Sequence, residues 1–256
     1  QGWYTANNGG GSKVLTSANA ITGSAVSGYT TASAWDTTVD RTLYAHCTPN
    51  AITLTINTTW AKHCGSTSNS TKTMTIDSSN NNNIGAPTRD GYTFAGWYTA
   101  ANGGTQLFGT DGKNVAATGY WSAAYSTGVW QKNENTTVYA KWTKAVSSLT
   151  NTLSQTNYIY TGSAQGPTAT VKDGSTTLTL NSDYTVSGNS NTNVGQYSVT
   201  ISGKSAYNST TKAYYTGTTT LTYYINNAKL TFDKGTCSSV NGTTPLYTKK
   251  SATVVY

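Results

Sequence analysis

The 256-residue chain carries a formal net charge of +7, with 10% charged, 36% hydrophobic and 11% aromatic residues. Charged residues fall far below the roughly one quarter of an ordinary cytosolic enzyme, while the aromatic content is too high for a disordered segment. The basic residues are scattered singly or in pairs such as Lys249-Lys250, which excludes a nucleic-acid-binding stripe, and no stretch approaches the roughly 18 apolar residues of a membrane helix.

The chain begins with "GWYTANNGGG" at 2–11, a short aromatic strand followed by a turn of residues that tolerate positive φ. "TLYAHCT" at 42–48 is the next strand-like phrase. In "AITLTINTTW" the apolar residues Ile52, Leu54 and Ile56 alternate with polar ones, and Thr73 to Ile76 repeats that period of two, so both predict strands with one buried face. The Asn run at 80–83 and "PTRDG" at 87–91 are turn chemistry. "GWYTAANGGT" then returns at 96–105, and "TVYAKWT" at 137–143 answers "TLYAHCT", with an offset of 94 residues at the front and 95 at the back. Trp130 answers Trp35 at the same spacing. Two copies of one unit run in register with a single inserted residue, and the first copy has only its back half. From Ala145 short alternating strands recur every eight to twelve residues, separated by Asp-Gly and Asn-Gly-Ser clusters, which predicts a small sandwich-like module. A further strand phrase begins at "AKLTFDKG" (228–235) and "SATVVY" stops without a turn, so the chain is expected to begin and end inside modules, with any export signal or anchor lying beyond it.

The phrase "PTRDGYTFAGWYTAANGGT" closing on "TVYAKWT" resembles the Listeria-Bacteroides repeat, also called the internalin B-repeat. The resemblance implies β-grasp-like modules strung in tandem in large secreted or wall-attached bacterial proteins. Through "YTGSAQ", "NVGQYSVTISGKSAYN" and "LTYYI", residues 158–225 resemble a Gly-rich, mostly-β module of the same proteins. The expected class is therefore all-β, with small modules arranged as beads: a partial repeat at 1–48, a complete one at 49–144, a sandwich-like module at 145–226 and the start of another at 227–256.

Chemistry-bearing residues are few. His46-Cys47 and His63-Cys64 supply a zinc-type ligand set, but neighbours on a strand point to opposite faces, which sets zinc last, behind a Cys47–Cys64 disulfide and, after it, separate thiols. The disulfide would close a loop worth roughly 3 kcal/mol in the chain-entropy model. Cys237 is left odd. The same face argument removes a Cys-His nucleophile, and most of the nine acidic residues lie in turn phrases such as "RDG", "TDGK" and "KDGS", so no catalytic, metal or cofactor site is expected. Trp3, Trp97, Tyr44 and Tyr139 recur at equivalent places and, with Trp142, are expected in module cores; Cys47 stands where the second copy has Trp142. Tyr120, Trp121 and Tyr125 in "GYWSAAYSTGVW" are the candidate exposed cluster for stacking on sugars or anchoring a protein, against the competing reading that they pack on a neighbouring module.

The function expected is a non-catalytic adhesin stalk or surface tether, with a structural subunit of a filament, sheath or lattice and an accessory region of a secreted enzyme as alternatives. The expected partners are other modules of the same chain, host or neighbouring-cell glycans or proteins, and further copies of itself, at an extracellular bacterial surface. Nucleic acid and membrane insertion are not expected.

Overall fold

The computed structural model describes residues 1–228 apart from 8, 9, 59, 60, 64, 80, 81 and 126. The fold is all-β, made of short strands linked by turns. Contacts divide it into two compact units. The first joins Gln1–Thr55, Thr71–Asn82 and Ala116–Thr136; the second joins Ile56–Ser70, Asn83–Val115 and the chain from Thr137 onward. The module expected to start at 227 lies outside the described residues beyond Ala228.

In the first unit β1 (Gly2–Tyr4) lies between β2 (Lys13–Leu15) and β3 (Tyr44–His46) in an antiparallel sheet. β4 (Ala51–Asn57) and β5 (Ser70–Thr75), most of whose residues belong to this unit, are hydrogen-bonded neighbours. The alternation of β4 buries Ile52, Leu54 and Ile56, and β5 buries Met74, as period-two strands with one apolar face must. The unit also buries Val14, Trp121 and Trp130.

In the second unit β6 (Thr93–Tyr98) lies between β7 (Gln106–Phe108) and β8 (Thr136–Ala145), both antiparallel. This is the arrangement of β2, β1 and β3 again. Trp3 faces Ala45 and Leu15, while Trp97 faces Ala140 and Phe108, and the register slips after each Trp. The turns are closed alike: the Thr5 N–H donates to the Ser12 carbonyl at 3.0 Å, and the Thr99 N–H to the Thr105 carbonyl at 3.0 Å. By this pairing the first Gly-rich turn is one residue longer than the second, a difference the ungapped match of the two phrases conceals. The Gly of the phrase is required by this geometry. Gly96 has φ +119°, and a Cβ there would sit 2.7 Å from the Phe108 carbonyl oxygen. Gly96→Ala is expected to cost about 1–3 kcal/mol, read as a lower urea midpoint.

Beyond a 3-10 turn at Val146–Ser148 come β9 (Thr150–Leu153), β10 (Asn157–Ile159), β11 (Ala169–Asp173), β12 (Thr176–Thr177), β13 (Tyr184–Ser187), β14 (Gly195–Gly203), β15 (Tyr207–Asn208), β16 (Ala213–Thr216) and β17 (Thr218–Asn226). They form a three-stranded sheet ordered β12-β11-β9 and a four-stranded sheet ordered β10-β17-β14-β13. Val146, Val171, Leu178, Tyr184, Ile201 and Tyr215 form one buried cluster, and Val199, Tyr223 and Ile225 another. β16 leaves these sheets to pair in parallel with the end of β8, Tyr214 to Tyr215 beside Thr143 to Lys144.

Candidate functional site

The expected aromatic contact cluster does not assemble on the surface. Trp121 is 2% exposed and packs edge-on against Trp130, with ring centroids 5.1 Å apart. Tyr120 is half-buried, 5.9 Å from the same ring, and Tyr125 is 45% exposed. The first copy explains why. Thr30 and Trp121 each donate a backbone N–H at 2.9 Å to the residue four earlier, Val26 and Ala117, and each bridges to the Trp that follows, Trp35 and Trp130. Trp121 thus occupies the buried position that Thr30 fills in the first copy, and its large ring is core. A Lys ammonium lies over Tyr120 at 5.7 Å, as the Arg41 guanidinium lies over Tyr29 at 5.4 Å.

The expected module-core residues divide. Trp97 is fully buried, its indole N–H donating to the Gly85 carbonyl at 2.9 Å and its ring edge-on to His63 and Phe94. Trp142 is buried with Ala61 and Ala213, and Tyr139 is half-buried. Trp3 and Tyr44, by contrast, are 37% and 38% exposed, so neither is core. The His63 and Phe94 rings and the Gly85 carbonyl that meet Trp97 come from segments before the phrase; Trp3 instead bonds through its indole N–H to the Asn19 side chain at 2.8 Å.

The densest polar chemistry among the described residues lies where β8 meets the strands that follow. Lys144 at the end of β8 pairs with Asp173 at the end of β11, Nζ to Oδ1 at 2.6 Å, and both side chains are largely buried. Tyr92 and Tyr215 donate their hydroxyls to Asp173 Oδ2 at 2.5 and 2.8 Å. With the Tyr215 proton so directed, the Thr211 hydroxyl 2.8 Å away is its donor. Arg89 lies over the Tyr92 ring, 3.6 Å from its centroid, and donates to the carbonyls of Thr211 at 2.6 Å and Lys212 at 3.3 Å. The Lys144 ammonium lies 4.5 Å from the centroid of the same ring.

Burial pushes the Asp173 carboxyl up, but the hydrogen bonds from Lys144, Tyr92 and Tyr215 and the Lys144 charge outweigh it and hold the group below the usual carboxylate range. Burial, then the bond to Asp173, pushes Tyr92 up to about 12, and burial drives Tyr215 higher still. An ionised carboxylate saturated by three donors is neither a ready nucleophile nor a proton acceptor. The arrangement suits a fixed clamp.

Residues 59–119 match the Listeria-Bacteroides repeat domain. Such repeat domains occur in bacterial surface or secreted proteins. No curated protein and no solved structure matches the chain. The matched repeat domain contains Arg89, Tyr92 and Trp97, whereas Lys144, Asp173 and Tyr215 lie beyond it, so the clamp ties the repeat domain to the strands C-terminal to it. The likeness of residues 158–225 to a Gly-rich module rests on its sequence phrases alone.

Sequence reasoning read "RDG" and "KDGS" as turn formers and missed this cluster. Asp173 is in fact a buried strand end, and the pairing of residues 81 positions apart leaves no local signal. The thiols fare differently from expectation as well. Cys47 is exposed and free, and its expected partner Cys64 lies outside the described residues, so the structure lends the disulfide no support. Cys47 is expected to be alkylated by iodoacetamide in native, unreduced protein; a peptide map that recovers it only after reduction would contradict this. His63 is buried beside Gly85 with its Nε2 bonded to the Ile84 carbonyl, a packing role for its ring. Among the described residues no three His, Cys, Asp or Glu side chains gather as a metal-ligand set, and no helix is long and apolar enough to cross a membrane.

Proposed function

We propose that this chain is a non-catalytic segment of a bacterial surface or secreted repeat protein and acts as an adhesin stalk or surface tether. The observation that carries this reading is the junction after the repeat domain. A stalk must transmit tension between consecutive modules without letting them swing apart. Here β8, which follows the matched repeat and pairs with its strand β6, pairs in parallel with β16, and the Lys144–Asp173 pair with Tyr92, Tyr215 and Arg89 closes the same junction. Pulling the ends apart has to break the strand pairing and the buried ion pair together.

Stretching the full chain between handles at its two ends tests this. The repeat domain and the strands after Ala145 are expected to lengthen in one event, and Asp173→Asn is expected to split that event in two. Separate, low-force events in the unaltered chain would refute a tension-bearing role. Regular filaments in micrographs of the purified chain would favour a structural subunit instead.

A further inference from the structure

The outward face of the four-stranded sheet is an ordered, uncharged array of hydroxyls. β14 buries Val199 and Ile201 and β17 buries Tyr223 and Ile225, so the alternate residues of each strand point the other way, where Gln196, Ser198 and the even-numbered residues of β17 are exposed and Thr200 and Ser202 half-buried. The register lines these up across strands. Thr185, Ser202 and Thr218 form one row, and Ser187, Thr200 and Thr220 form the next. Ser198 opposite Thr222 makes a third. Gln196, Tyr224 and Asn157 close the array, with the Tyr224 ring 40% exposed between the two amides.

Three properties of this face narrow what it can bind. No position in these rows carries a charge, in a chain whose net charge is +7, so Coulomb attraction does not select an anionic partner. None of the hydroxyls in the three rows is hydrogen-bonded within the protein among the described residues, and each is able both to donate and to accept. The sheet also sets their spacing, roughly 4.8 Å between strands and about 6.7 Å between successive outward residues. A repeating partner meets many rows at once, while a single sugar meets one.

We propose that this face docks a neutral, extended β-1,4-linked polysaccharide in ordered form. Such a ribbon presents hydroxyls along its edges to the Thr and Ser rows. Its C–H faces suit the Thr methyl groups and the Tyr224 ring, with Gln196 and Asn157 as flanking amide partners. This surface is independent of the tension-bearing reading and stands or falls separately.

The test is retention of the full chain on microcrystalline cellulose. The chain is expected to be retained and to be displaced by soluble cello-oligosaccharides but not by glucose. Tyr224→Ala is expected to lower the affinity roughly tenfold, and a Thr200→Val, Thr220→Val, Thr222→Val triple variant to abolish retention. The triple variant keeps side-chain shape and strand propensity, so an unchanged melting temperature separates binding from folding. Absence of retention, or retention that both variants leave intact, overturns the proposal. Inhibition of ice recrystallisation without cellulose retention overturns it in favour of ordered water as the partner.

Discussion

Asp173→Ala is expected to lower the unfolding free energy of the second unit by about 3 kcal/mol, because removing one partner of a buried ion pair leaves the other charge uncompensated. The loss is spread over several groups. Lys144 loses its counter-charge, and the hydroxyls of Tyr92 and Tyr215 lose their shared acceptor. Replacing both charges together, Lys144→Met with Asp173→Leu, is expected to cost less than the single change, since apolar groups of similar size remove the desolvation penalty along with the attraction. Urea titration of the single and double variants checks this; a single variant as stable as the parent would mean that the clamp contributes nothing.

The same group sets a pH dependence. Asp173 is held below its usual range in the folded chain, so its contribution is present above the ordinary carboxylate range near pH 4 and is lost as pH falls through the lower folded value. At the alkaline end Tyr92 and Tyr215 are held protonated above their ordinary range. Their contribution is full below about pH 10 and is lost as pH rises through the folded values. The unaltered chain should therefore lose stability at both extremes, and Asp173→Ala should flatten the acid limb.

Trp97→Ala is expected to cost about 3–5 kcal/mol, the range for deleting a large aromatic side chain from a core. Its indole is fully buried and bonded to the Gly85 carbonyl, so the change leaves a cavity and an unsatisfied acceptor. Trp3→Ala, in an almost identical phrase, is expected to cost about 1–2 kcal/mol, because the ring is already partly in water. Thermal or urea unfolding of the two variants measures the difference. Equal losses would contradict the burial difference between the copies.

Those two tryptophans show how far the sequence is readable. The GWYT phrase and its Gly-rich turn predict the same local path in both copies, and the copies do share strand pairing, the bulge after the Trp and the turn hydrogen bond. What the phrase leaves open is the company each ring keeps, since the residues that cover Trp97 lie elsewhere in the chain. Trp121 is a second case: an aromatic-rich stretch admits an exposed platform or a packed role, and its burial against Trp130 settles that it is core.

The all-β class, the alternation of β4 and the repeat at residues 59–119 were legible because they depend on short-range causes: side chains that suit a pleated surface, a period of two, and turns that need Gly at positive φ. The clamp around Asp173 and the hydroxyl rows across β13, β14 and β17 were decided by the tertiary structure. Both depend on strand register, which brings together residues tens of positions apart. A one-residue slip would turn each of those side chains to the opposite face.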